Sequence, residues 1–196
     1  MTTDYEEQNY WNKRYETERE FDWYMDFETL YPFIRTTLNP NDKILNIGCG
    51  NSSFAFDMLQ YDYKFVTNID ISDVVINKMK DKYKKYPSLE FFVQDTRKLT
   101  FSDSSFETII DKGTLDTLIC GKEGDDDVDS MMKEIYRILK PGGKFILLSH
   151  APDERRLEFF QRDYFEWNVK HQEIQRTLPD NRPAVHYLYI ASKNLN

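Results

Sequence analysis

Gly48, Gly50, Asp70, Asp95 and Asp111 are the residues of this chain best suited to holding a ligand. The two glycines lie in the run Lys43-Ile44-Leu45-Asn46-Ile47-Gly48-Cys49-Gly50-Asn51-Ser52-Ser53. Glycine there lets the backbone turn sharply and approach a ligand where a Cβ would collide. A helix start just beyond, capped by Ser52 or Ser53, presents unpaired N–H groups to whatever binds. Asp70 follows about 20 residues past the turn, where a carboxylate can hold a ribose diol. The alternative is that Asp70 or Ser72 merely caps the next helix. Asp95 can accept a hydrogen bond from an adenine amino group, or cap a loop. Asp111 opens a second polar run, Asp111-Lys112-Gly113-Thr114-Leu115-Asp116. The chemistry in view is recognition of a nucleoside.

Two nucleoside-type ligands share such a turn. The dinucleotide fingerprint is G-x-G-x-x-G, whose third glycine allows close packing of helix on strand. Here the third position is Ser53, which weakens the dinucleotide reading. S-adenosylmethionine has no pyrophosphate to cradle, and a shorter glycine turn suffices for its amino-acid end.

These residues need strands to carry them. Ile44, Leu45 and Ile47 form a short apolar run, as expected of a strand covered on both faces. Tyr63 to Asp70, Leu89 to Val93, Phe106 to Ile110 and Lys144 to Ser149 read as four more strands. Helical spacing links Phe27, Leu30, Ile34 and Leu38, predicting a helix from near Asp26 to Leu38, with Pro32 tolerable in a first turn. It also links Val75, Met79, Tyr83 and Tyr86, and again Met131, Ile135, Ile138 and Leu139. Lys140-Pro141-Gly142-Gly143 stops that last helix. Asp153 to Arg162 reads as a charged helix. Tyr164 to Ile174 and Ala184 to Ala191 read as a closing hairpin.

Five β/α units followed by a hairpin predict an α/β fold. The expected form is a Rossmann-like, doubly wound, seven-stranded, mostly parallel sheet with a C-terminal antiparallel hairpin. Gly48, Asp70, Asp95 and Asp111 then fall at the carboxyl ends of successive strands, on one edge of the sheet, where ligands bind in such folds. Residues 1–196 are expected to form a single domain, with residues 1–25 an N-terminal arm or lid. In that arm Trp11 and Tyr15 are four apart, on one face of a helical turn. Phe21-Asp22-Trp23-Tyr24 follows. These aromatics either pack the arm on the domain or cover a cationic ligand, since aromatic faces attract cations by about 0.5–2 kcal/mol.

Composition narrows the classes. The chain is 40% hydrophobic and 31% charged, which is globular rather than disordered. Its net charge of −8 argues against a nucleic-acid backbone as partner. It is compatible with a basic protein substrate. No stretch has the ~20 apolar residues of a membrane span, and no signal-peptide pattern opens the chain. Two cysteines, Cys49 and Cys120, make no disulfide framework. A cytoplasmic monomer is the expectation. His150, His171 and His186 show no metal spacing.

The order of motifs resembles the seven-stranded S-adenosylmethionine-dependent methyltransferases over roughly residues 8 to 191. A narrower likeness rests on Tyr10-Trp11, Arg14-Tyr15, Phe21-Asp22-Trp23-Tyr24, Gly48-Cys49-Gly50-Asn51-Ser52, Asp70-Ile71-Ser72, Asp111-Lys112-Gly113-Thr114-Leu115-Asp116 and Pro141-Gly142-Gly143. These resemble a methyltransferase-like group whose characterised members methylate lysines of translation elongation factor 1-alpha. The resemblance implies S-adenosylmethionine as cofactor, S-adenosylhomocysteine as product, and elongation factor 1-alpha as protein substrate. It moves Trp11, Tyr15 and Trp23 from packing toward a lid, with Gly48 and Gly50 at the methionine part. Asp70 and Ile71 take the ribose and adenine side, Asp95 and Thr96 the adenine edge, and Lys112 closes the site. The sequence departs from the superfamily at Asn46, where many members carry an acidic residue.

Methyl transfer from a sulfonium is an in-line displacement that needs a neutral, aligned nucleophile and no metal. A lysine amine, near pKa 10.4, must first lose a proton. Asp111 and Asp116 are the candidates for orienting the amine or relaying that proton, and the sequence names no base outright. Asp116 can also be a helix cap. His150 can face the substrate or serve the structure. A small-molecule methyltransferase and a non-catalytic, cofactor-binding partner subunit are the alternative readings.

Overall fold

The computed structural model describes residues 5, 7–178 and 180–195. The N-terminal arm begins with α1 (Gln8–Thr17) and continues as an extended stretch into α2 (Phe27–Ile34). The side chain of Asp26 accepts from the backbone N–H of Thr29 and caps α2. Pro32 falls in the second turn of α2 rather than its first, and the helix stops at Ile34, short of the expected Leu38. A proline there withholds one of the helix's backbone N–H donors.

Strands and helices then alternate: β1 (Lys43–Ile47), α3 (Phe54–Gln60), β2 (Phe65–Asp70), α4 (Asp73–Lys82) and β3 (Leu89–Val93). The connection from β3 to β4 (Phe106–Lys112) contains no helix, so the expected third β/α unit is a loop. After β4 come α5 (Thr114–Leu118), α6 (Gly124–Ile138) and β5 (Leu139–Ser149). Leu139, expected on the helix, belongs to the strand instead. The Lys140–Gly143 stop is absorbed into β5 as an irregularity, where pairing with β4 skips from Phe106↔Leu139 to Thr108↔Lys144. The expected charged helix after β5 shrinks to a 3₁₀ turn (Asp153–Arg155) and α7 (Leu157–Phe160). In the hairpin, β6 (Trp167–Thr177) starts and ends three residues later than expected, and β7 (Pro183–Lys193) extends beyond the expected strand at both ends.

The seven strands form one sheet in the order β3-β2-β1-β4-β5-β7-β6. The first five pair in parallel, and β7 pairs antiparallel with both β5 and β6. Alternation along the strands divides the core in two. Ile44, Ile110, Ile146 and Leu148 face a cluster built with α1 to α4. Leu45, Ile47, Ile109, Phe145 and Leu147 face a second cluster built with α5, α6 and α7. Both faces are thus covered, as a parallel sheet requires.

Strand order reverses between β1 and β4, and the crevice at such a reversal is where open α/β sheets bind ligands. Register aligns the ends there. Ile47 pairs with Ile69 on one side and with Asp111 on the other, and Asp70 pairs with Val93. Gly48, Asp70, Asp95 and Lys112 therefore emerge side by side.

Candidate active site

The carboxyl edge of β1, β2, β3 and β4 opens into a cleft, the position at which open α/β sheets bind ligands. All ten residues expected at the cofactor line it. From the arm come Trp11, Tyr15 and Trp23, and from the first turn Gly48 and Gly50. Asp70 and Ile71 follow β2, Asp95 and Thr96 follow β3, and Lys112 ends β4.

The glycine turn is conformationally obligatory. Gly48 and Gly50 have φ of +58° and +53°, a region that costs other residues roughly 1–2 kcal/mol. A Cβ on Gly48 would lie 1.9 Å from Thr114 Oγ1, and one on Gly50 would lie 2.8 Å from Tyr15 Oη. Of the two serines offered as caps, Ser52 does the work: its Oγ accepts from the Phe54 N–H at 3.0 Å.

Asp70 is buried and fixed by backbone. Its Oδ2 accepts from the Gly50 N–H and its Oδ1 from the Ser72 N–H, each at 2.9 Å. Burial pushes its carboxyl up to about 6, against the pull of the backbone donors. Ser72, with its Oγ accepting from the Val75 N–H, is the cap of α4. Asp95 is already engaged: Arg97 grips it through Nε and Nη2, the latter at 2.7 Å, and extends Nη1 to Asp127 at 2.9 Å. Burial disfavours the Asp95 charge, but Arg97 outweighs it and holds the carboxyl below its usual value. The Thr96 hydroxyl is buried on the cleft wall with no hydrogen-bond partner among the described residues. Asn46, the departure noted in the sequence, donates from Nδ2 to Asn68 Oδ1 at 3.0 Å across β1 and β2. An amide pair satisfies that buried position without charge.

The arm closes over this cleft and is tied to it residue by residue. Trp11 stacks on Tyr15 with ring centroids 5.7 Å apart, and meets Trp23 edge-on at 6.5 Å. The Arg14 guanidinium lies over both indoles. The Asn12 side chain bonds to Ser72 and Asp73 at 2.7 Å each. Asn51 accepts from the Phe21 N–H and donates to the Arg19 carbonyl. Lys112 Nζ donates to Asp22 Oδ1 at 3.0 Å and to the Trp23 carbonyl at 2.9 Å. Burial pulls the Lys112 ammonium below its ordinary value, and the Asp22 and Asp26 charges oppose that.

The two catalytic candidates lie outside the cleft lining. Asp111 is fully buried, and its oxygens accept from the Thr114 and Leu115 N–H groups at 2.7 and 2.9 Å. It caps α5. Burial raises its carboxyl to about 7. Asp116 is also buried, at the centre of a polar cluster with Tyr24, Ser149, His150 and Arg156. Sequence reasoning missed Asn51, Arg97 and Tyr24 as site residues. Arg97 carried a local signal, two residues after Asp95, whereas Tyr24 meets Asp116 across 92 positions. Among the described residues no group of His, Cys, Asp or Glu could hold a metal, and no helix is long and apolar enough to cross a membrane.

Residues 45–147 match the family described as methyltransferase domain. The chain is 32% identical to mouse EEF1A lysine methyltransferase 4 over 178 residues, 85% of this chain and 70% of that protein. A methyltransferase from Methanosarcina mazei superposes with a TM-score of 0.68 at 21% identity, covering 88% of this chain and all of the other. A Burkholderia thailandensis methyltransferase solved with S-adenosylhomocysteine superposes with a TM-score of 0.63 at 15% identity, covering 87% and 80% of the two chains. With the family's domain spanning the glycine turn through β5, and likeness to the mouse enzyme running through most of both proteins, the chain belongs to the S-adenosylmethionine-dependent methyltransferases, within the family of EEF1A lysine methyltransferase 4.

Proposed function

We propose that this enzyme methylates lysine side chains of translation elongation factor 1-alpha, using S-adenosylmethionine bound in the cleft at the carboxyl edge of the sheet. The observation that carries the reading is the 32% identity to the mouse enzyme, sustained over 85% of the chain. The cleft fits the cofactor on its own terms. It offers a glycine turn with no room for a Cβ at Gly48, a buried carboxylate at Asp70 and an unpartnered hydroxyl at Thr96.

When bound, S-adenosylmethionine supplies a methyl group on a positively charged sulfur. The chain's own residues hold and enclose it. Asp70, with lone pairs left after its two backbone bonds, accepts from the ribose hydroxyls. Ile71 packs on the adenine side, and Thr96 and Asp95 meet the adenine edge. Gly48 and Gly50 bring backbone close to the amino-acid end. Trp11, Tyr15 and Trp23 form an aromatic lid suited to a cation, and Lys112 latches that lid through Asp22.

A net charge of −8 suits a basic protein partner. The arm and the sheet edge it covers belong to the same chain, so a monomer completes the site. Free Cys49 and Cys120 fit the reducing cytosol. The test is incubation with isotope-labelled S-adenosylmethionine and elongation factor 1-alpha made in bacteria. Methyl-lysine in the recovered factor supports the proposal; no incorporation by a folded, cofactor-binding enzyme contradicts it.

A further inference from the structure

The polar residues that the cleft does not use converge on one carboxylate. Asp116 Oδ2 accepts from the Tyr24 hydroxyl at 2.6 Å and from the His150 backbone N–H at 2.9 Å, and lies 2.8 Å from His150 Nδ1. Its Oδ1 accepts from Ser149 Oγ at 2.6 Å and from Arg156 Nη2 and Nε at 2.8 and 3.0 Å. Burial works against the Asp116 charge, but the Ser149 and Tyr24 hydroxyls and the Arg156 guanidinium outweigh it, and the carboxyl stays ionised.

An ionised carboxylate only accepts hydrogen bonds. The proton of the His150–Asp116 contact therefore sits on Nδ1, which leaves Nε2 with its lone pair. That ring is 56% exposed, and Nε2 has no partner among the described residues. His150 follows Ser149 at the carboxyl end of β5, the neighbour of β4, whose end forms the far wall of the cleft. Tyr24 bridges the two places. A Cβ on the cleft residue Gly113 would touch the Tyr24 ring at 3.2 Å, and that ring also packs 5.0 Å from His186. Tyr24 holds a φ of +65°, costly for a side chain by roughly 1–2 kcal/mol, so these contacts fix it.

We propose that His150, oriented by Asp116 and by Tyr24 of the closed arm, is the base that takes the proton from the substrate lysine. The inference rests on the lysine reading above. An ammonium N–H bond breaks and its proton passes to His150 Nε2. The nitrogen pair so freed forms the bond to the methyl carbon, while the methyl–sulfur bond breaks and its pair stays on sulfur. Asp116 stabilises the imidazolium until the exposed ring returns the proton to water, the role a buried carboxylate plays behind a catalytic histidine. The charged and titratable groups around His150 are Asp116 from α5, Tyr24 from the arm, Arg156 behind Asp116, and His186 from β7. Burial, Arg176 and His150 itself lower the pKa of His186 below its ordinary value, against the pull of Asp116.

The pH profile of kcat/KM separates this role from a structural one. With a histidine base, the reacting pair is neutral His150 with lysine ammonium. The wild-type reaction then does not wait for free amine, and its profile is flatter than that of a variant lacking the base. His150→Gln, at an exposed position, must await free amine, so its kcat/KM keeps rising tenfold per unit toward about pH 10. The wild-type advantage, on the order of 10²-fold near pH 7, shrinks as pH rises. Tyr24→Phe falls between the two. Profiles that differ only by a constant factor would overturn the proposal. ¹⁵N NMR of the free protein gives a second readout that needs neither cofactor nor substrate: Nδ1 protonated and Nε2 bare is the expected tautomer at His150, and the opposite tautomer would overturn the proposal. No transfer to lysine by the wild type would refute the lysine reading and this proton transfer with it; transfer with parallel profiles would refute the role of His150 alone.

Discussion

Lys112, the last residue of β4, donates to the Asp22 carboxylate of the N-terminal arm at 3.0 Å. Ninety positions apart in sequence, they join the sheet edge to its cover. Asp22 also takes the Ser52 hydroxyl from the glycine turn, so one carboxylate holds arm, first turn and fourth strand together. That junction adds to the Asn12 and Asn51 contacts that hold the arm over the cleft.

Lys112→Met removes the junction's charge and keeps its bulk. Hydrogen bonds to charged groups contribute about 1.5–3 kcal/mol, so S-adenosylhomocysteine affinity should fall by roughly 10- to 100-fold. Trypsin should cut more readily at Arg14 and Arg19. Calorimetry and timed proteolysis check the two effects, and they should appear together.

Asp70→Ala should weaken cofactor binding by about 10- to 100-fold, the value of a charge-assisted hydrogen bond, with the far-UV circular dichroism unchanged. The wild type carries a pH signature as well. Its Asp70 carboxyl sits at about 6 in the free protein, and ribose hydroxyls favour the ionised form. Affinity should therefore be flat above that pH and fall, by up to tenfold per unit, as pH drops through it. Calorimetry from pH 5 to 8 should show the slope in the wild type and none in the variant.

Gly50→Ala places a side chain at φ +53° against Tyr15 Oη. The conformation alone should cost roughly 1–2 kcal/mol, and the clash adds to it. In a Tyr15→Phe background the clash is relieved and the conformational cost remains. Denaturant titration of both single variants and the double variant should show partial, not complete, recovery.

Two of the three tryptophans, Trp11 and Trp23, line the cleft, while Trp167 opens β6. S-adenosylhomocysteine should change the intrinsic fluorescence. The Trp11→Phe, Trp23→Phe double variant should lose that change while still binding by calorimetry.

Much of this was legible in the sequence, for local reasons. Apolar runs gave the five parallel strands, and glycine, aspartate and serine at their ends gave the edge that binds. Ser72 as a cap and Asp70 as a ligand-facing carboxylate were alternatives in the sequence, yet the structure gives Ser72 the cap and leaves Asp70 on the cleft wall. The end of α2 at Ile34 and the short α7 after β5 differ from the sequence expectation, because tertiary packing sets where a short helix stops. The Asp116 cluster was not legible. Its members are separated by 92 and 34 positions, and neither spacing nor local pattern announces a contact made by folding the arm across the sheet.

The acceptor is a lysine of one protein, elongation factor 1-alpha, and that assignment has a direct test. The enzyme and labelled S-adenosylmethionine are added to a eukaryotic extract that lacks this activity, and the products are resolved by gel and mass spectrometry. One labelled band, elongation factor 1-alpha carrying methyl-lysine, is the expected result. Label confined to the small-molecule fraction, or none at all from an enzyme that binds S-adenosylhomocysteine, would contradict the assignment.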